Sequence, residues 1–297
     1  MNIKNLLYDE ILAPYTTYKI GGPADYFVVV KNQEELINAV IEAKKENIPY
    51  FILGTGANIL FGDKGFRGLV IKNEANHFHF EGNNLVVESG ATIADVIPET
   101  AKHGLSGLEH FAGIPSTVGG AIWQNLHFLS PDRTRTIFIE EILISAKLLT
   151  EQNEVIIVDK NFFQFGYDYS ILHDKQYLVI EATFVLASKS KKEIIAQANE
   201  NLKWRNEKQP PLEKYPSCGS VFKKIERVGA GRLIEKVGLK GYKIGGIQSS
   251  EQHANFLVNT GNGTATDVLA LIKLIQEKVK MEMGYDLEAE ISFVGEF

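Results

Sequence analysis

The chain has 297 residues, 44% of them hydrophobic and 23% charged, the balance of an ordinary soluble globular protein with room for two or three small domains. Its net charge of −6 excludes the basic footprint of a nucleic-acid or anionic-membrane binder, and no apolar run reaches the ~18–20 residues that span a bilayer. A single cysteine, Cys218, excludes an internal disulfide and any cysteine-built metal site. The opening stretch "MNIKNLLYDE" is too short and too acidic in its apolar part for a signal peptide, so a cytoplasmic protein is expected, with no nucleic-acid or membrane partner.

Along the chain, "QEELINAVIEAKKENI" (33–48) predicts a helix with Leu36, Val40 and Ala43 on one face. It leads into a short strand, "PYFIL" (49–53), and then into "GTGAN". "RGLVIK" (67–72) is a further strand, and "HFHFEGNNLVVES" (77–89) reads as a hairpin turning at Gly82-Asn83-Asn84. Thr92 followed by Asp95 predicts a capped helix start, with Ile93, Val96 and Ile97 inward. From 137 to 187 the pattern is mostly β, in "IFIEEILISAKLLT", "EVIIVD" and "YLVIEATFVLA". At "SKSKKEIIAQANENLKWRNEKQ" it turns polar and helical, which suggests a domain boundary near 189. A short helix follows at "GRLIEKVG", a strand at "HANFLVN", and a long helix from Thr266 to about Met283 with Gly284 as its C-cap. The last strand, "LEAEISFVG", alternates strictly, which points Leu287, Ala289, Ile291 and Phe293 one way and Glu288, Glu290 and Ser292 the other. The expected class is therefore α+β.

The 26 glycines fall in clusters, as in "KIGGPAD", "ILGTGANILFGDKGFRG" and "SGLEHFAGIPSTVGGA". Such clusters mark turns or places where a ligand lies on main chain. "LGTGAN" departs from the G-x-G-x-x-G pattern, so a structural turn and a phosphate cradle both fit it. "GIPSTVGGA" supplies a second segment of backbone donors, with hydroxyls at Ser116 and Thr117, and the two could wrap a pyrophosphate without cationic side chains. His77 and His79 read as a solvated hairpin face rather than a metal pair. Trp123 and Trp204 read as packing aromatics, and Cys218 as a small buried filler. In "PSCGSVFKK", Ser220 fits a tight turn and also a reactive hydroxyl.

The stretches "TTYKIGGPAD", "ILGTGANIL", "GLSGLEHFAGIPSTVGGAI", "FGYDYS", "KQPPLEKYPSCGSVFKK", "GRLIEKVGLKG" and "HANFLVN" occur in the order expected of the UDP-N-acetylenolpyruvoylglucosamine reductase family. The chain resembles the shorter type of this family from about Thr16 to Gly295. The resemblance implies an FAD-binding domain of the vanillyl-alcohol-oxidase (PCMH) type in two subdomains, 1–75 and 76–188, and a C-terminal substrate domain, 189–297. It also implies a monomer that binds FAD without a covalent link and uses NADPH as co-substrate. NADPH reduces the flavin; the enolpyruvyl sugar nucleotide then takes a hydride at C3, while a serine protonates C2 and a glutamate and an arginine stabilise the enolate-like intermediate. Carried over by motif, the serine is Ser220, the glutamate is Glu290 in "LEAEI", and Lys208 is the lysine that holds substrate diphosphate. The FAD contacts fall on Gly21, Gly22, Gly54, Thr55, Gly56, Ala57, Asn58, Ser116, Thr117, Gly119 and Gly120.

Three departures stand out. Ala57 replaces the serine usual in the first loop, and Lys224 stands where an asparagine follows the Ser220 segment. Asp168, in "FGYDYS", occupies the position of the family's catalytic arginine, and "WQNLHFLSPDRTRTIFIEE" replaces the usual Asn-Ala-Gly-Ala stretch. An unpaired carboxylate ~4 Å from a substrate carboxylate would cost roughly 4 kcal/mol at an effective dielectric near 20, or about three decades in rate. The expectation is that Arg133, or else Arg135, enters the site, pairs with Asp168 and takes over carboxylate stabilisation. Two other functional readings stand beside the reductase: a paralogous FAD-dependent oxidoreductase acting on another substrate, and a non-catalytic flavin-binding module.

Overall fold

Among the described residues, four of the α-helices carry side-chain caps that explain where they start. The computed structural model describes residues 1–225 and 228–297. Helix α1 (Gln33–Lys45) starts where Asn32 Oδ1 accepts the Glu35 N–H at 2.9 Å, and it buries Leu36, Ala39, Val40 and Ala43. Helix α2 (Ile93–Lys102) starts at Thr92, whose hydroxyl oxygen accepts the Asp95 N–H at 3.1 Å, as the sequence predicts. Helix α3 (Val118–Gln124) is capped by Thr117 and ends at Asn125 in the left-handed region, φ 50°. Helix α4 spans Lys191–Lys208 and α5 Ala230–Lys236. Helix α6 (Ala265–Met283) opens with a reciprocal Thr264–Asp267 capping box and closes at Gly284, φ 77°.

The chain forms two compact units, and neither is one continuous stretch. Unit 1 contains residues 1–5, 28–54 and 71–205. Its centre is a five-stranded antiparallel sheet in the order Val155–Asp159, Leu143–Leu149, Leu178–Val185, Asn84–Glu88, Phe78–Glu81. One face of the sheet supplies Leu85, Val87, Ala146, Leu148, Ala182 and Phe184 to a core completed by Val96 of α2, Ile122 of α3 and Ala198 of α4. The other face keeps Ile157 exposed and carries the Lys147–Glu181 ion pair at 3.1 Å. This one-sided burial is the reason these strands alternate.

Unit 2 contains residues 6–27, 55–70 and 206–297. Strand Leu7–Ile11 pairs antiparallel with the start of Pro23–Val30, and Ile59–Phe61 pairs in parallel with Ser292–Val294. A small antiparallel sheet of Lys243–Ile244, Ile247–Ser249 and Leu257–Asn259 lies in the same unit. Its core is built from Leu233 and Ile234 of α5, Leu271, Ile275 and Val279 of α6, and Phe222, Leu257 and Leu60.

One sequence expectation changes, and the three-part division into 1–75, 76–188 and 189–297 stays a proposal about domains. Helix α4 buries Ile194, Ala198 and Asn201. The last strand is regular only over Ser292–Val294. Ile291 lies at a bend; before it Glu290 bonds to Val221, and after it Ser292 bonds to Asn58. The change of partner breaks the alternation, so Leu287 and Ile291 are buried while Phe293 is 43% exposed.

Candidate active site

Within unit 2 the extended segment carrying Ser220 is held on both sides. Val221 donates its N–H to the Asn255 carbonyl at 2.9 Å. Phe222 donates to Asn255 Oδ1 at 3.0 Å, and Asn255 Nδ2 returns a bond to the Phe222 carbonyl at 2.9 Å. On the opposite side Glu290 donates its N–H to the Val221 carbonyl at 2.8 Å, and Lys223 donates to the Glu288 carbonyl at 2.9 Å. Ser220 itself bridges to Phe256. The structure thus brings Ser220 and Glu290, seventy residues apart in sequence, onto neighbouring extended segments, both half-buried. Burial, and after it the negative charge of Glu290, pushes the Cys218 thiol up, which agrees with an inert packing cysteine. Gly219 has φ 83° and open space where a side chain would begin, so it is glycine for its backbone conformation.

The same unit holds most of the first glycine loop. Thr17 donates its N–H to the Gly56 carbonyl at 3.2 Å and its hydroxyl to the Ser217 carbonyl at 2.7 Å, tying that loop to the serine segment. The Asn58 carbonyl accepts the Ser292 N–H at 3.0 Å. A side chain at Gly56 (φ 67°) would start 2.8 Å from Thr16 Cα, and one at Gly22 would start 2.2 Å from the Asp63 carbonyl oxygen. Close approach of the chain to itself therefore already requires glycine at both. Lys208 is the exposed last residue of α4.

Unit 1 holds the second glycine loop. The Ser116 carbonyl accepts the Ile93 N–H at 2.9 Å, and Thr117 bridges to Thr92. A Cβ at Gly54 would lie 2.7 Å from Thr117 Oγ1, so the end of the first loop lies directly against the second. Lys72 donates to the Gly54 carbonyl at 2.5 Å, and burial holds its ammonium below the usual lysine range. The expectation of a long run of backbone donors is corrected in part. Val118 N–H is committed to the Ala91 carbonyl (2.9 Å), Gly119 N–H to Ser89 (2.8 Å) and Gly120 N–H to Thr117 Oγ1 (3.2 Å). They build the turn. Within unit 1 the second loop carries hydroxyls at Ser116 and Thr117, with Thr117 against the bare Gly54, and neither glycine loop contains an acidic group, a composition that fits the pyrophosphate of FAD.

Asp168 lies at the apex of a turn closed by the Gly166 N–H on the Tyr169 carbonyl at 3.0 Å, with φ 55°. Its expected partner is overturned. Arg133 Nη2 donates to Asn201 Oδ1 at 3.2 Å and lies 4.0 Å from Glu200, with its guanidinium against the rings of Phe128 and Trp204. Arg135 pairs with Glu141 at 2.9 Å. The "PDRTRT" turn is instead held by Asp132, which accepts from Ser130 and Thr134 hydroxyls, and Arg133 at φ 60° is directed toward α4. Asp168 pairs with His127, whose Nδ1 lies 3.5 Å from Asp168 Oδ1. Sequence reasoning singled out the unusual segment that contains His127 but looked to its arginines. It also missed Thr17, Lys72 and Asn255, whose roles depend on contacts distant in sequence.

Comparison with known proteins places these features in a family. The pattern described as "UDP-N-acetylenolpyruvoylglucosamine reductase, C-terminal domain" matches residues 209–294, and that of an FAD binding domain matches residues 24–159. The protein named UDP-N-acetylenolpyruvoylglucosamine reductase from Caldanaerobacter subterraneus subsp. tengcongensis is 40% identical, over 98% of this chain and 94% of its own. Its namesake from Clostridium kluyveri is 36% identical, over 100% and 95%. The crystal structure of UDP-N-acetylenolpyruvylglucosamine reductase from Thermus caldophilus superposes with a TM-score of 0.81 at 30% identity, covering 98% of both chains.

Proposed function

The chain belongs to the UDP-N-acetylenolpyruvoylglucosamine reductase family, and we propose that it reduces UDP-N-acetylglucosamine enolpyruvate to UDP-N-acetylmuramate with NADPH as reductant. The observation that carries this reading is the hydrogen-bonded neighbourhood of Ser220 and Glu290 in unit 2. FAD, when bound, supplies the hydride. The loops at 54–58 and 116–120 would hold its pyrophosphate, with Gly21 and Gly22 shaping a neighbouring turn. Ser220 gives its hydroxyl proton to C2 of the substrate, and Glu290 stabilises the charge that develops on the enolate. A serine is a weak acid, so its donation needs a relay or a stabilised alkoxide, and a rigid clamp such as Asn255 keeps its geometry fixed. Lys208 contacts the diphosphate as an exposed cation. We take the protein as a monomer working in the cytoplasm, where the precursor of the cell-wall polymer is made.

Asp168 and the exposed Lys224 favour a second reading, a paralogue acting on a different substrate. One experiment separates them. Purified holoprotein is mixed with NADPH and then with the enolpyruvyl sugar nucleotide while flavin absorbance is followed. Bleaching followed by reoxidation upholds the reductase. Bleaching without reoxidation upholds the paralogue.

A further inference from the structure

We infer that Lys72 is the cation that holds the FAD pyrophosphate where Gly54 meets Thr117 in unit 1. The assignment rests on the glycine loops as the flavin site and names the charge that they themselves lack. The second loop has few backbone donors to spare. Its Val118, Gly119 and Gly120 N–H groups close its own turn on Ala91, Ser89 and Thr117. Hydroxyls and bare glycine remain, and neither cancels the negative charge of a pyrophosphate.

The fold carries Lys72 to this point. It lies near the end of strand Phe66–Asn73, whose sheet neighbour Tyr50–Leu53 runs directly into Gly54. Its ammonium donates to the Gly54 carbonyl at 2.5 Å. The next residue, Asn73, is buried and donates to Ser89 Oγ at 2.9 Å, and the Ser89 carbonyl accepts the Gly119 N–H at 2.8 Å. The strand end is thus tied to Gly54 on one side and to the second loop on the other. Lys72 is half-buried, and burial holds its ammonium below the usual lysine range, with Glu74 opposing that shift from longer range. Among the described residues no carboxylate forms an ion pair with it. A half-buried ammonium bonded to a neutral carbonyl is under-compensated, and it keeps N–H donors to give. A pyrophosphate at the junction supplies the missing counter-charge. The lysine is therefore a burden on the flavin-free protein and an asset once the pyrophosphate is present. A lysine that only tied the strand to Gly54 would stabilise both states alike.

The test compares wild type with Lys72→Met, which removes the charge, and Lys72→Arg, which keeps it. FAD is titrated into deflavinated protein at low and high salt, and flavin fluorescence gives the dissociation constant. At low salt Lys72→Met weakens FAD by about tenfold or more, and Lys72→Arg recovers most of that loss. The gap between wild type and Lys72→Met narrows at high salt, because salt screens the attraction. Urea unfolding separates binding from folding. Deflavinated Lys72→Met is at least as stable as deflavinated wild type, whereas with FAD bound it is the less stable of the two. The assignment is overturned if Lys72→Met weakens FAD by less than that factor, if the gap is the same at both salts, or if the variant loses stability equally with and without flavin. Should deflavinated protein not stay folded, the rate of FAD release from diluted holoprotein is compared at the same salts, and equal rates overturn the assignment. Wild-type protein that neither carries nor takes up FAD is a separate outcome, which removes the flavin reading of the loops as well.

Discussion

Ser220 has its neighbours fixed on both sides by backbone bonds that do not involve its hydroxyl, so removing the oxygen leaves the clamp intact. Ser220→Ala is therefore expected to accept hydride from NADPH at a near-normal rate and to lose about 10²–10⁴-fold in reoxidation by substrate, the range for a general acid. Stopped-flow absorbance of the flavin separates the two steps, and equal slowing of both would point to damage of the flavin site instead. Gly54 offers a second single-residue test. An added methyl would lie 2.7 Å from Thr117 Oγ1, closer than packed atoms tolerate. Gly54→Ala is expected to purify with substoichiometric FAD. Full flavin content in purified Gly54→Ala would show that the close approach relaxes and that Gly54 is not required by it.

Helix α6 shows how an element depends on a distant residue. Its capping box is local, but Asp63 also accepts the Ala265 N–H at 2.7 Å and the Thr266 N–H at 2.9 Å and hydroxyl at 2.7 Å. Burial works to raise the Asp63 carboxyl, and the bonds from Thr266 and Ala265 outweigh it and hold the group below the usual range. Asp63→Ala is expected to cost about 1–2 kcal/mol, the scale of losing an N-terminal cap. A carboxyl depressed in the folded state stabilises fully above the unfolded value of about 3.9 and loses that contribution as pH falls through the lower folded value. The gap between wild type and Asp63→Ala in urea unfolding should thus be widest near neutral pH and narrow in acid. A gap that does not change with pH would show that the charge of Asp63 contributes nothing.

At the scale of the whole molecule, two separate cores are each assembled from discontinuous stretches of chain. The loops proposed to hold FAD contain no histidine or cysteine, so a covalent flavin bond has no protein partner in them. Denaturation is expected to release free FAD into the supernatant, and yellow colour that stays with the precipitated chain would show a covalent link. Cys218, buried in the second core, should resist alkylation in the native protein and react when the chain unfolds. Reaction at equal rates in both states would place the thiol outside the core.

Much of this was legible in the sequence, because helix starts, glycine turns and one-sided strands follow from local chemistry. Thr92 before Asp95 and Gly284 after α6 need no information from elsewhere in the chain. The glycine turns were readable as well, since the positive φ of Gly56 and Gly219 favours that residue, whereas Ser220 became a candidate only through the resemblance of its segment to the family's. The end of the last strand was not, because Phe293 turns outward only when the strand exchanges Val221 for Asn58 as its partner. Nor was the partner of Asp168. Arg133 and His127 both lie in the segment flagged as unusual, and sequence favours the stronger cation. Only folding decides between them: the Asp132 turn carries Arg133 to Asn201 and the faces of Phe128 and Trp204, while the strand pairing of His127 with Phe138 delivers the imidazole to Asp168. Charge can be read from a list of residues, but which charges meet is settled by backbone pairing across long sequence separations.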